Sequence, residues 1–179
     1  MANRYEIRLA GTGGQGMILA GIILADAAIR DGKNAVQSQS YGPEARGGAS
    51  RSEVIIANGE IDFPEVIQAD ILLCMSQEAC DKYYKDLKRE GLLIVNSSYV
   101  QRTPRTQALA ADFSQWAIEE TGREITANVL ALGYLIGITG LVSRMALEQA
   151  VLSRTPRGTR ELNLKAIARG FAETKDAAR

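Results

Sequence analysis

The chain has 179 residues, of which 46% are hydrophobic and 23% charged, and its 21 basic residues balance its 21 acidic ones. This length fits a single domain, residues 1–179, that can bury a hydrophobic core without disulfide or metal support. The neutral charge balance argues against nucleic acid and anionic membrane surfaces as partners. The sequence contains no histidine, which excludes Ser-His and Cys-His nucleophilic machinery.

The two cysteines, Cys74 and Cys80, are too few for a four-cysteine iron–sulfur site or a structural zinc site. Any iron–sulfur cluster that works with this chain should therefore lie on another chain. The N-terminus lacks the pattern of a signal peptide, so we expect a cytoplasmic protein.

The N-terminal segment predicts a strand, a glycine loop and a helix. Residues 5–10 are typical of a strand, Gly-Thr-Gly-Gly-Gln-Gly follows at 11–16, and apolar residues recur at helical spacing from 17 to 29. Residues 35–40 predict a second strand, which a right-handed crossover through the helix would pair in parallel with the first. The chain is therefore expected to begin as a β-α-β unit.

The next segment indicates a hairpin. Residues 52–57 predict a strand, and Asn58-Gly59 suits a tight turn into a second strand at 60–63. This hairpin would make an otherwise parallel sheet mixed.

Two short apolar runs, 71–75 and 92–96, are typical of strands that are buried on both faces. The segment between them predicts a helix at 77–88, and a further strand is expected near 106–110. These elements continue the α/β pattern.

The last third of the chain predicts helices and no strand. Asp112 and Gly122 are suitable caps for a helix at 113–120, and a final helix is expected at about 161–175. Together, the patterns predict a three-layer, Rossmann-like α/β domain with a mostly parallel sheet and a helical C-terminal third.

Residues 125–142 are almost uniformly apolar and long enough to suggest a membrane helix. Polar residues and glycines interrupt this run, so we expect no membrane span. A helix that is apolar all round is either buried in its own fold or covered by another subunit. Gly133 and Gly137, four residues apart, would allow a second helix to approach closely in either case.

The glycine loop is the first candidate site. Gly11, Gly13 and Gly16 match the spacing G-x-G-x-x-G, in which backbone N–H groups at a helix start attract phosphate. An NAD site would also need an acid at the end of the second strand, where this chain has Gln37 to Ser40. A ligand-free glycine turn packed against a neighbour stays an alternative. The candidate ligand-binding or interface residues here are Gly11, Thr12, Gly13, Gly14, Gln15 and Gly16.

The second candidate site is the loop that follows the second strand, where ligands of α/β sheets commonly bind. Arg46 could offer a bidentate donor fork to a phosphate or carboxylate. Alternatively, Arg46 pairs with Glu44 or with an acid of a neighbouring subunit. The candidate residues of this loop are Ser40, Tyr41, Gly42, Glu44, Arg46, Gly47 and Gly48.

Taken together, three segments resemble the gamma subunits of 2-oxoacid:ferredoxin oxidoreductases. They are Gly-Thr-Gly-Gly-Gln-Gly at 11–16, Ser-Tyr-Gly-Pro-Glu-Ala-Arg-Gly-Gly at 40–48 and Ala-Asp-Ile-Leu-Leu at 69–73. Residues 127–133 and 163–167 are similar to the helical end of the same family, so the resemblance covers essentially the whole chain. Among its members, the chain looks most like the 2-oxoglutarate type, ahead of the pyruvate, branched-chain oxoacid and indolepyruvate types.

The resemblance implies a complex that decarboxylates a 2-oxoacid oxidatively on thiamine diphosphate with Mg, passes electrons through iron–sulfur clusters to ferredoxin, and transfers the acyl group to coenzyme A. It implies alpha and beta subunits as partners, with a ferredoxin-like delta subunit as a further candidate. The gamma chain itself is expected to hold no cofactor, metal or catalytic residue and to be inactive alone. It would complete the assembly and contribute to the region where CoA enters.

Two other hypotheses stay open on the residues alone. The chain could be a free-standing nucleotide-binding module with a regulatory use, or a self-sufficient dehydrogenase. Binding of NAD, ATP or CoA to the isolated chain would separate them.

Overall fold

Six strands and six α-helices form the part of the chain that the computed structural model describes, residues 4–40, 48–104 and 107–177. The strands are β1 (Arg4–Thr12), β2 (Asn34–Ser40), β3 (Ala49–Ala57), β4 (Ala69–Cys74), β5 (Leu87–Asn96) and β6 (Leu109–Ala111). The α-helices are α1 (Met17–Arg30), α2 (Gln77–Tyr83), α3 (Phe113–Thr121), α4 (Ala127–Thr139), α5 (Arg144–Arg154) and α6 (Arg160–Ala177).

The strands build one mixed sheet in the order β2-β3-β1-β4-β5-β6. Strand β3 is antiparallel to both of its neighbours, β2 and β1, whereas β1, β4, β5 and β6 are parallel to one another. The carboxyl ends of β1, β2, β4 and β5 therefore share one edge of the sheet, together with the start of β3.

The predicted α/β class with a mostly parallel, mixed sheet is confirmed, but two details of the pairing were wrong. Strand β2 does not pair with β1, because β3 lies between them. The expected hairpin partner at 60–63 is not a strand. Both edges of β3 are already occupied over residues 51–57, so no edge is left there for a further strand.

Alternate residues of the strands build hydrophobic cores on the two faces of the sheet. Ile7 and Leu9 of β1 belong to the larger core, with α1, α3, α4, α5 and α6. Ala10 of β1 and Leu72 of β4 belong to the smaller core, with α2. This gives the three layers that the sequence predicted.

Element boundaries differ most around α2. This helix ends at Tyr83 and continues as a 3-10 turn, Tyr84–Asp86, instead of running to residue 88. Strand β5 begins at Leu87, where it pairs with Ala69 of β4, rather than at residue 92. Buried Leu87 joins the smaller core, which explains why the chain leaves the helix there.

The capping residues of α3 are those predicted. The side chain of Asp112 accepts a hydrogen bond from the amide of Gln115 (3.3 Å), and Gly122 ends the helix in the left-handed conformation with φ 71°. Helix α5, which was not predicted, begins similarly, because Ser143 accepts from the amide of Ala146 (3.1 Å).

Helix α4 is buried within its own chain. Every residue from 127 to 136 is buried, and the helix ends at Gly140 with φ 63°. A side chain at Gly133 would lie 2.6 Å from the carbonyl oxygen of Ile167, and one at Gly170 of α6 would lie 2.2 Å from that of Leu130. The glycines thus serve contact between α4 and α6. Within the described residues, no helix is long and apolar enough to cross a membrane.

Candidate functional site

The glycine loop lies where β1 ends and α1 begins, and the side chain of Gln15 holds it closed. Its Oε1 atom accepts a hydrogen bond from the amide of Thr12 (2.8 Å), and its Nε2 atom donates to the carbonyl oxygen of Met75 (3.0 Å). The amide of Gln15 also donates to the carbonyl oxygen of Thr12 (3.2 Å). Gln15 therefore ties the loop to the end of β4.

The glycines of this loop fall into two groups. A side chain at Gly11 would lie 2.5 Å from Oε1 of Gln15, and one at Gly16, where φ is 72°, would lie 2.3 Å from Nδ2 of Asn128. By contrast, Gly13 and Gly14 are exposed and have open space where a side chain would be. Gly11 and Gly16 thus serve internal packing, while Gly13 and Gly14 leave the backbone accessible.

Helix α1 offers its N-terminus at the same place. Its N-cap residue is Gly16, which has no side chain that could accept a hydrogen bond from the first turn. The first N–H groups of an α-helix have no acceptor within the helix and carry a partial positive charge. This end of α1 is chemically suited to an anion.

The ends of the second loop are anchored beside the glycine loop. Ser40 of β2 lies opposite Arg51 of β3, and Ala49 at the start of β3 lies opposite Thr12. In addition, the hydroxyl of Ser50 donates to the carbonyl oxygen of Gly11 (3.3 Å). Gly48 directly precedes β3 and is half-buried. The predicted residues Tyr41, Gly42, Glu44, Arg46 and Gly47 lie outside the described residues.

An open cleft of about 400 Å³ adjoins the glycine loop at the carboxyl edge of the sheet. Tyr99 and Glu124 both line this cleft, and the tyrosine hydroxyl donates a hydrogen bond to the carboxylate (2.6 Å). This hydrogen bond raises the pKa of Tyr99 above its ordinary value. The lining residues are Thr12, Gly14, Gln15, Met75, Ser76, Tyr99, Ser114, Glu124, Ile125, Ala127 and Asn128.

Asn128 links the cleft to the buried helix α4. It is only 5% exposed, and its Nδ2 atom donates to the carbonyl oxygen of Gly16 (3.2 Å). Sequence reasoning did not select Asn128, Tyr99 or Glu124 as site residues. The available signal was Asn128 as a polar residue within an apolar run, because buried polar groups need partners.

A buried ionic network supports the start of β3 from the α2 side. Arg8 is 2% exposed and contacts Glu53 (2.7 Å) and Asp86 (2.8 Å). The guanidinium groups of Arg8 and Arg51 each lie 5.5 Å from the ring centre of Tyr83, whose hydroxyl donates to Ala49 (3.3 Å). No pattern in the sequence pointed to this network, since its members are far apart along the chain.

The strand order of a dinucleotide-binding fold is not found at this edge of the sheet. In a dinucleotide fold, the strand after the first helix lies next to β1 and its terminal acid reaches the ribose. Here β3 separates β2 from β1, and the end of β2 carries Gln39 and Ser40. The glycine loop therefore lacks the neighbour that an NAD site uses.

Neither cysteine is exposed at this site. Cys74 and Cys80 are both free and fully buried in the smaller core. Hydrogen bonding with Cys80, together with burial, raises the pKa of Cys74 well above its ordinary value. Among residues 4–40, 48–104 and 107–177, no three His, Cys, Asp or Glu side chains are grouped to hold a metal ion.

Comparison with known proteins gives one consistent family. The sequence model of the pyruvate ferredoxin/flavodoxin oxidoreductase family matches residues 6–173. The 2-oxoglutarate synthase subunit KorC of Methanocaldococcus jannaschii is 48% identical over 178 residues, which cover 97% of this chain and 95% of that protein.

Two solved structures share the fold. The gamma subunit of a keto/oxoacid ferredoxin oxidoreductase from Geobacter sulfurreducens is 53% identical, with a TM-score of 0.89 over 98% of both chains. The 2-oxoglutarate:ferredoxin oxidoreductase of Magnetococcus marinus, solved with 2-oxoglutarate, coenzyme A and succinyl-CoA, is 22% identical. It matches with a TM-score of 0.83 over 97% of this chain and 31% of its own. This last likeness concerns the fold alone.

In both sequence and overall fold, this chain therefore matches proteins of one kind along almost its whole length. The resemblance read from the sequence is confirmed. The chain belongs to the pyruvate ferredoxin/flavodoxin oxidoreductase family, in which it is a gamma subunit of a 2-oxoacid:ferredoxin oxidoreductase of the 2-oxoglutarate type.

Proposed function

We propose that the chain is a non-catalytic gamma subunit that completes a thiamine-diphosphate-dependent 2-oxoacid:ferredoxin oxidoreductase in the cytoplasm. In the proposed reaction, 2-oxoglutarate or a related 2-oxoacid loses CO₂, its acyl group passes to CoA, and iron–sulfur clusters carry two electrons to ferredoxin. The proposed partners are alpha and beta subunits, with a ferredoxin-like delta subunit as a further candidate.

The residues of this chain favour placing the cofactors of the complex on its other subunits. The sequence has no histidine, and the described residues contain no grouped metal ligands. Its two thiols are buried. We therefore assign Mg, the iron–sulfur clusters and thiamine diphosphate to the other subunits.

We further propose that the carboxyl edge of the sheet contributes to the CoA region of the complex. The observation that carries this is the accessible backbone at Gly13 and Gly14, beside the uncapped N-terminus of α1 and the open cleft. The phosphates of CoA suit N–H groups at a helix start. The second loop, which contains Arg46, lies in sequence between Ser40 and Ala49, both paired at the same edge, and would add a donor fork.

The assembly role is tested by activity of the isolated chain. Purified alone, it should show no 2-oxoglutarate-dependent reduction of a viologen dye, and activity should appear when the alpha and beta subunits are added. Alpha and beta subunits without this chain serve as the control. Turnover by the purified chain alone would refute the non-catalytic assignment.

The CoA role is tested at Gly13, which can accept a side chain without strain. Its φ lies outside the left-handed region, and no atom lies within 4 Å of the added Cβ. In the assembled complex, Gly13→Leu should raise the KM for CoA by about 10-fold or more, equivalent to about 1.4 kcal/mol, with an unchanged melting temperature. Gly13→Ala, a smaller obstruction, should raise it less. Equal KM values for both variants and the wild type would contradict a CoA contact at this loop.

A further inference from the structure

A second apolar pocket lies on the other side of Ile125 and Asn128 from the open cleft. Its volume is about 210 Å³, and it lies between the 3-10 turn Glu124–Thr126, the first turn of α1 and the start of α6. Its apolar lining comes from Leu19, Ile125, Val129, Pro156 and Leu162. Ile125, at its rim, is 64% exposed, so an exposed aliphatic side chain adjoins the apolar depression.

Unpaired arginines surround this pocket. Nine of the twelve arginines in the described residues have a carboxylate within 4.0 Å. The other three are Arg123, Arg157 and Arg160, for which the described residues offer no carboxylate partner. Arg123 lines the pocket, and the other two adjoin the lining residues Pro156 and Thr159. All three are exposed.

The nearby acids do not neutralise this charge. Glu124 accepts a hydrogen bond from Tyr99 in the open cleft (2.6 Å), and Glu161 pairs with Lys165 (3.1 Å). Arg160 donates its Nε to the carbonyl oxygen of Leu152 (3.1 Å), a contact that leaves its positive charge without a carboxylate. The arginines of this surface thus differ from the other nine arginines of the described residues, which all have a carboxylate nearby.

Resting on the function proposed above, we propose that this surface, formed by the apolar pocket, Ile125 and the three arginines, docks another subunit of the same oxidoreductase. The partner would contribute an apolar side chain flanked by Asp or Glu residues. An apolar centre with arginines at its edge is the usual composition of a protein–protein interface. The unpaired positive charge selects an acidic partner segment. A second copy of this chain fits poorly, because a two-fold contact would bring the same three arginines together.

The charge part is tested by association of the full chain with the immobilised remaining subunits. Arg123→Glu combined with Arg157→Glu should slow association roughly 10-fold or more at low ionic strength. In about 1 M salt, where the Debye length is about 3 Å, the association rates of variant and wild type should converge. The matched control is Arg89→Glu with Arg102→Glu, which changes net charge equally at exposed arginines that already have acidic partners. The control should associate within about two-fold of wild type.

The apolar part is tested by Ile125→Ser, which should speed dissociation several-fold. Ile118→Ser, at an isoleucine of α3 that is 46% exposed, is its control and should leave dissociation unchanged. Both substitutions lie on the surface, so circular dichroism should show native folding.

Three results would overturn the proposal. The first is association of the Arg123/Arg157 variant at the rate of the Arg89/Arg102 control. The second is unchanged assembly with a raised KM for CoA, which would make the pocket a site for a small anionic ligand. The third is a wild-type chain that self-associates in isolation and loses this self-association in the variant, which would make a second copy the occupant.

Discussion

Two side-chain amides, those of Gln15 and Asn128, hold the glycine loop. Gln15 bridges the loop to the end of β4, and its Oε1 atom fills the space that a side chain at Gly11 would need. Asn128 reaches from α4 to the carbonyl oxygen of Gly16 (3.2 Å) and accepts a hydrogen bond from the amide of Val129 (2.8 Å). These contacts within the chain constrain the shape of the loop, and a constrained loop lowers the conformational cost of binding a ligand.

At the residue scale, Arg46 is the sharpest test of the second loop. If Arg46 contacts CoA, Arg46→Ala loses a charge-assisted hydrogen bond of about 1.5–3 kcal/mol and should raise the KM for CoA roughly 10-fold to 150-fold. Arg46→Lys should stay impaired, because lysine lacks the planar fork. The measurement is steady-state kinetics of the complex at saturating partner subunits, with Arg89→Ala as the control.

The same substitution distinguishes two other roles of Arg46. If Arg46 pairs with an acid across a subunit boundary, Arg46→Ala should weaken assembly, and excess partner should restore activity. Normal assembly with an unchanged KM for CoA would leave Arg46 as an ordinary surface arginine.

At the element scale, α4 and α6 approach until their backbones touch. Gly133, Gly137 and Gly170 occupy the contact, and a side chain at Gly137 would lie 2.7 Å from Thr174. Backbone contact of this kind explains why a helix that is apolar all round is interrupted by glycine despite the cost in helix propensity. The sequence left two alternatives for this helix, burial in its own fold or cover by another subunit, and the buried residues 127–136 support the first.

We expect Gly170→Ala to destabilise the isolated chain. The added methyl would lie 2.2 Å from the carbonyl oxygen of Leu130, a backbone atom that cannot move without shifting the helix. Overpacking of this type costs about 1–3 kcal/mol in the free energy of unfolding. Urea denaturation measures it, and Gly158→Ala is the control, because its Cβ would meet no atom within 4 Å. Equal unfolding midpoints for the two variants would show that α4 and α6 leave room for a methyl group at residue 170.

At the scale of the whole molecule, both layers of helices are tied to the same sheet. The larger core joins five helices to it, and the smaller core joins α2. The network of Arg8, Glu53 and Asp86 links β1, β3 and the turn after α2 on the second face. Removing one partner of such a buried pair leaves an uncompensated charge, so the network couples these segments strongly.

Because the two cores share one sheet, we expect the isolated chain to unfold as a single domain. Trp116, the only tryptophan, packs against Phe113 and Tyr134 in the larger helical layer, so its fluorescence reports that layer. Far-ultraviolet circular dichroism reports helices and strands together. The two signals should give the same urea midpoint. Separate transitions would indicate two independently stable units within residues 1–179.

Local sequence patterns determined much of this protein. The glycine loop, the caps of α3 at Asp112 and Gly122, and the helical last third are where the sequence predicts them. Such features depend on residues within a few positions of one another, so a window of sequence contains the interactions that create them. The combination of the two loops also identified the family.

Only the tertiary structure decided which strands and side chains meet. Strand β3 lies between β1 and β2 and pairs with both of them. No local sequence pattern indicates which distant strands will pair. Likewise, Arg8 pairs with Glu53, 45 residues away, and Asn128 bonds to Gly16, 112 residues away. The glycine loop was visible in the sequence, but its partners were not, because buried polar groups are satisfied by whatever the folded chain brings within hydrogen-bonding distance.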